Sequence, residues 1–245
     1  MTVRRSMIGL AALCAVIFSA LTAANASAAT TAYTCKKEAP KPVGERFADA
    51  DCTQPDENGK YRHESFQTKT TTEVEVETSA PVIVETSQFG VPLVLEGTGM
   101  QTLPGSYIEN TEGGHVSGIV TLKATGMQVV EPEGLGCKVQ EEAVTTSELE
   151  FESTGGMAIE FLPTEGEVFS VVHIVGCVLE GTYKVTGSLG LEPNGALLPA
   201  NAESPNQGLT LNGEAVGFTA EPTLTGRDTI RGDTELTPIA FTTGE

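Results

Sequence analysis

The sequence predicts an all-β chain, either an antiparallel β-sandwich or a barrel-like sheet, and three observations support this. From Cys137 onward the side chains alternate. Cys137, Val139, Ala143, Leu149 and Phe151 share one parity, and Lys138, Gln140, Glu142, Glu148, Glu150 and Glu152 the other. Period two with one wet face marks antiparallel sheet over a core. The composition, rich in Thr with 27 Gly and 13 Pro, suits strands and turns, and helical periodicity is nearly absent. Cys137 and Cys177 both fall on the mainly apolar parity of their segments, which points to a core-side disulfide.

Residues 1–26 have the form of a secretory signal. Arg4 and Arg5 precede an apolar run from Met7 to Leu21, and small residues follow at Ala24-Asn25-Ala26. The run is shorter than the roughly 20 residues a membrane-spanning helix needs. No second apolar span appears, so the expectation is a secreted, extracellular protein, released or held at the envelope by non-covalent contacts. Residues 27–62 read as a leader loop rich in Lys, Pro, Asp and Gly, and 63–245 as a single all-β domain.

The chain carries 14 Lys and Arg against 33 Asp and Glu, and the signal holds two Arg and no acid. The remaining 12 basic residues face 33 acids, a balance that argues against nucleic acid and anionic lipid as partners. A cell-envelope or protein partner stays open. Four cysteines outside the signal allow three connectivities in an exported chain. The sequence-local pairing, Cys35–Cys52 and Cys137–Cys177, is favoured, with the first pinning the leader loop.

The strands follow in order. Phe66, Thr68, Thr70, Thr72, Val74 and Val76 share one face, opposite Glu73, Glu75 and Glu77, a solvated acidic ladder. Pro81–Ser87 and Val91–Glu96 flank a turn at Gln88-Phe89-Gly90, and 97–114 is a Gly-rich connection. Val116 to Ala124 alternate until Gly126, where the parity switches and a bulge or bend is expected. The segment 167–178 is apolar on both parities, the pattern of a strand covered on both faces. A Pro/Asn-rich loop, 190–208, precedes strands near Leu209–Thr219, Thr223–Thr225 and Leu236–Thr242.

Catalytic patterns are sparse. His63, His115 and His173 are the three histidines. His173, within the most apolar strand, is expected in the core as a neutral ring. Gly114-His115-Val116-Ser117-Gly118 misplaces the serine of a nucleophile elbow, and no P-loop, zinc or dinucleotide fingerprint occurs. Asp49, Asp51 and Asp56 are candidate calcium ligands in one loop. An EF-hand started at Asp49 nonetheless fails, with Gln54 where glycine is needed and Lys60 in place of the bidentate glutamate. Arg231-Gly232-Asp233 is an integrin-type tripeptide of the kind that recurs by chance.

Phe47-x-Asp49-x-x-Cys52-Thr53 with Gly59-Lys60-Tyr61, then Val185-Thr186-Gly187-Ser188 before Pro193-Asn194, then Asn206-Gln207-Gly208, resemble a loose group of uncharacterised secreted β-rich proteins from high-GC Gram-positive bacteria. The resemblance implies export and a β-rich fold, with no activity, cofactor or site. The resulting expectation is a non-catalytic structural or binding module of the cell surface or medium. A secreted hydrolase with a site at the sheet ends and a calcium-stabilised module are the alternatives.

Overall fold

The computed structural model describes residues 30–37, 46–50, 52–66, 71–78, 80–112, 114–153, 159–193, 198–200, 207–227 and 236–243. The signal-type segment 1–26, Asp51 and Arg231-Gly232-Asp233 lie outside them. The fold is all-β; among the described residues the short 3-10 turn Gln140–Glu142 is the one helical element, and every described strand pair is antiparallel. Among the described residues, no helix is long and apolar enough to cross a membrane.

The largest sheet orders its strands Leu189–Leu191, Ile159–Pro163, Leu149–Ser153, Val116–Val120, Tyr107–Asn110, Thr72–Thr78, Pro222–Arg227, Leu236–Thr243, Thr30–Lys37 and Tyr61–Ser65. Gly99–Thr102, Leu122–Thr125 and Ala143–Thr145 branch from it. The alternation read from the sequence sets its two faces. Val74, Val76, Ile108, Val116, Leu149 and Phe151 are buried, while Glu73, Glu77, Glu150 and Glu152 are exposed.

Among the described residues there are two smaller sheets. One runs Gln128–Glu131, Val91–Gly97, Val82–Gln88, Gly217–Thr219; the other runs Lys138–Val139, Val168–Val175, Gly181–Thr186, Thr210–Leu211, Glu214–Ala215. Their strands approach one another on both sides. Gln128–Glu131 lies beside Lys138–Val139, and Val82–Gln88 beside Glu214–Ala215, where Thr86 Oγ1 donates to the Ala215 carbonyl at 2.9 Å. The two sheets therefore close into a small barrel. Inside it Leu93, Leu95, Val172, Ile174, Tyr183 and Leu211 are buried, each apolar side chain stabilising the fold by about 1.5–3 kcal/mol relative to exposure.

Gly126 does more than bend a strand. The chain leaves the large sheet after Leu122–Thr125 and enters the barrel at Gln128–Glu131, and Gly126 takes φ +61° at that corner. A Cβ there would collide with the Thr98 side chain, which sits at the neighbouring crossing between Val91–Gly97 and Gly99–Thr102. The expected parity switch is thus a change of sheet. Both sheets share one core. Two adjacent cavities within it, of about 30 and 70 Å³, have Met100, Leu122, Phe169, Leu189 and Phe218 in both linings.

Three sequence expectations change. The leader expected over 27–62 is not all loop. Thr30–Lys37 is a strand of the large sheet, hydrogen-bonded to Leu236–Thr243 on one side and Tyr61–Ser65 on the other, so the boundary at 62/63 runs through a single sheet. The connection 97–114 contains the strands Gly99–Thr102 and Tyr107–Asn110. The strand expected to be covered on both faces is covered on one. A bulge between Val168 and Ser170 places Phe169 and Ser170 both inward, after which Val172 and Ile174 point in and His173 points out. A bulge shifts the side-chain parity by one, so Phe169 joins Val172 and Ile174 on the inner face from the opposite parity, while Val171 and Val175 lie half-buried on the outer face with His173.

Candidate functional site

The leader is a miniature core of its own. Cys35 and Cys52 are disulfide-bonded and buried with Phe47, and Tyr61 packs against them. Phe47 and Tyr61 exchange backbone hydrogen bonds, and a side chain at Gly59 would run into the Phe47 backbone. Asp49 turns its carboxylate inward on the loop. Oδ1 and Oδ2 accept from the Thr53 amide, Oδ1 accepts from the Gln54 amide at 2.9 Å, and the Thr53 hydroxyl donates to Oδ2. Burial pushes this carboxyl up. The hydrogen bonds from the Thr53 hydroxyl and the Gln54 and Thr53 amides outweigh it and hold the group below the usual carboxylate range. Asp56 makes an Asx turn, accepting from the Asn58 amide at 2.9 Å. Asp49 and Asp56 therefore serve the loop as turn-makers, and Asp51 lies outside the described residues. The same reading covers the family-like motif, whose Phe47, Asp49, Cys52, Thr53, Gly59 and Tyr61 all build this small core.

The histidines have separate roles. His63 lies between Tyr33 and Phe47, with ring centroids 5.3 and 4.4 Å away. It faces Cys35 across the strand pair, and its ring nitrogen comes within 4.8 Å of the Cys35 and Cys52 sulfurs. The two sulfurs are bonded to each other and offer no thiolate to a metal. His115 closes the turn before Val116–Val120, its carbonyl accepting from the Thr111 amide and hydroxyl. His173 corrects the expectation of a core histidine. It is exposed, with Nδ1 3.0 Å from the Thr182 hydroxyl on the neighbouring strand. The Glu73, Glu75 and Glu77 ladder borders an open cleft of about 410 Å³ against Leu103–Ser106, and neither a histidine nor a cysteine lines it.

What the topology brings together is one end of the barrel. Val82–Gln88, Gln128–Glu131, Val168–Val175 and Thr210–Leu211 all run toward that end, because each neighbours a strand antiparallel to it. The four turns that follow them, 89–90, 132–137, 176–180 and 212–213, gather there. Three of these turns carry an exposed apolar side chain: Phe89 at 86 %, Val178 at 82 % and Leu135 at 45 % exposure. Among the described residues the only other large hydrophobic so exposed is Leu162, on the outer face of the large sheet.

The turns are fastened in pairs. Cys137–Cys177 joins the second to the third, and Gly136 and Gly176 approach each other closely beside it. Gln88, buried, joins the first to the fourth. Its Nε2 donates to the Leu211 carbonyl at 3.2 Å, and Asn212 Nδ2 donates to its Oε1 at 3.1 Å. Within the third turn Tyr183 Oη donates to the Leu179 carbonyl at 2.6 Å, and Glu180 Oε2 accepts from the Gly176 amide at 3.0 Å. The same turns and their flanks carry a strong negative balance. Glu131, Glu133, Glu180 and Glu214 are exposed, with Lys138 the single cation of these turns and their immediate flanks.

Phe89 is unusual twice over. With Gly90 it forms a two-residue hairpin turn in which both residues have positive φ, +54° and +77°. That turn favours Asn, Asp or Gly at its first position, and a bulky residue there is strained. Neither backbone preference nor burial explains an exposed phenylalanine at this point. The turn was legible in Gln88-Phe89-Gly90, but its place at the same barrel end as the turns of Leu135 and Val178 was not.

Searches of known protein families, curated proteins and solved structures return no match to this chain.

Proposed function

We propose that the protein is a non-catalytic exported module of the cell surface or medium that works by binding through the four-turn end of its barrel. One observation carries this reading: Phe89, Leu135 and Val178 stand out to solvent on turns at the same barrel end, the Leu135 and Val178 turns joined by Cys137–Cys177 and the Phe89 turn fastened to 212–213 by Gln88. Exposed apolar side chains clustered on a protein surface mark interaction sites, and fixing them in advance lowers the entropy lost on binding. The disulfides and the signal-type N-terminus support export, as does the resemblance to secreted β-rich proteins of high-GC Gram-positive bacteria.

The test compares the full mature protein with a Phe89→Ser, Leu135→Ser, Val178→Ser variant. Each is mixed with a washed cell-envelope preparation and with the medium components of the source cells. The reading expects co-sedimentation or a stable complex for the native chain, and loss of it in a variant with an unchanged melting curve. Equal behaviour of the two proteins would refute it, as would turnover of an ester, glycoside or peptide substrate by the native chain.

A further inference from the structure

The charges around the tips narrow the partner. We infer that the four-turn end of the barrel docks a cationic amphipathic polypeptide segment, whose apolar side chains meet Phe89, Leu135 and Val178 while its Lys or Arg residues face Glu131, Glu133, Glu180 and Glu214. The inference rests on the binding reading above and adds the chemistry of the occupant. The four turns and their immediate flanks hold four exposed carboxylates against one Lys, beside the three apolar tips in the chain. An anionic lipid surface would be repelled by those carboxylates and by the acidic balance of the whole chain. A second copy docked end to end would bring the same carboxylates together, and like charges facing across an interface are disfavoured. A segment with apolar and basic side chains on one face satisfies both the tips and the carboxylates.

The tips are also built to be met rather than to adjust. Leu135 and Val178 stand on turns joined by Cys137–Cys177, and the Phe89 turn is fixed to the 212–213 turn by the buried Gln88 amide, so each apolar group is carried on a fastened turn. Phe89 occupies a strained position where Asn or Gly would suit the turn better. Strained residues of this kind gather at ligand-binding sites, and an aromatic anchor at the centre of a contact supplies much of its affinity.

The probe is a short synthetic amphipathic helix of Lys and Leu, titrated calorimetrically into the full mature protein with both disulfides formed; a Glu/Leu helix is the control. Phe89→Ser with Val178→Ser is expected to weaken Lys/Leu binding about thirtyfold. Glu133→Lys with Glu214→Lys is expected to weaken it about tenfold. Glu150→Lys with Glu152→Lys makes the same charge change on the outer face of the large sheet and is expected to leave binding unchanged. Thermal melts and disulfide mapping establish that each variant is folded. Equal weakening by both Lys pairs would mean general charge attraction and overturn the docking site. Tip-dependent binding to phosphatidylcholine vesicles, or a tip-dependent dimer in sedimentation, would overturn the partner class while leaving the binding reading in place. No tip-dependent binding to peptide, vesicle, envelope or second copy would overturn both.

Discussion

The leader and the barrel end are both tied by a disulfide and both rich in acids, yet they use their side chains in opposite ways. In the leader, Phe47, Cys35 and Cys52 are buried, Tyr61 packs against them, and Asp49 and Asp56 accept hydrogen bonds from their own loop. The local interactions are largely satisfied within the element. At the barrel end, Phe89, Leu135 and Val178 stand in water around a framework that is itself well fastened. The difference teaches how to separate construction from function here. Residues whose chemistry is consumed by their neighbours build the fold, and the exposed apolar residues on the fastened turns are the ones to which the proposed binding role is assigned.

The largest way to break this comparison is to remove the staples. Replacing Cys137 and Cys177 with Ser opens a loop with a sequence separation of 40, and the chain-entropy model assigns about 4 kcal/mol to such a closure. Replacing Cys35 and Cys52, separated by 17, is expected to cost about 3 kcal/mol on the same model. Denaturant unfolding of the two double variants measures both. A sharper outcome lies beyond stability: the Cys137/Cys177 variant should lose peptide binding even under conditions where it stays folded, and the Cys35/Cys52 variant should keep it. Equal binding by the two would mean that the staple at the barrel end does not organise the tips.

Asp49 comes next. Asp49→Ala removes the acceptor of the Thr53 and Gln54 amides and should destabilise the leader by about 1 kcal/mol, seen as faster amide exchange at those two residues. The pH dependence has a definite sign. The folded carboxyl titrates below its unfolded value, so its contribution is fully present above the unfolded pKa and is lost as pH falls through the folded pKa. Protection of the Thr53 and Gln54 amides, taken relative to their intrinsic exchange rates, should therefore fall selectively on the acid side, and Asp49→Asn should flatten that dependence.

Changes at the tips should have small effects of the opposite kind. Phe89→Asn relieves the strained turn and should raise stability by about 0.5–1 kcal/mol, measured as a higher Tm, while weakening peptide binding. Val178→Ser should change stability by less than about 0.5 kcal/mol and still weaken binding. A loss of stability on Phe89→Asn would show that the ring has a packing role that its exposure conceals, and would weaken the contrast with Phe47.

Much of the architecture was legible because β alternation is a local signal. The hairpin about Phe89-Gly90, the outward Glu150 and Glu152, and the break at Gly126 could all be read from side chains two apart. Features that depend on partners distant in sequence were not. The position of His173 turned on the bulge between Val168 and Ser170, which moves inward residues outward without leaving a distinctive residue behind. Thr30–Lys37 could not be read as a strand from the leader's turn-like composition, since its partner Leu236–Thr243 lies at the far end of the chain.

The sequence by itself determined the fold class, the wet and dry parity of most strands, and an acidic surface, because periodicity and charge are properties of neighbouring residues. Only the tertiary structure decided that two small sheets close into a barrel and that the turns bearing Phe89, Leu135 and Val178 collect at one end. Phe89, Leu135 and Val178 are each more than 40 residues from the next along the chain, and it is the antiparallel pairing of the strands beneath them that brings their turns to a common edge.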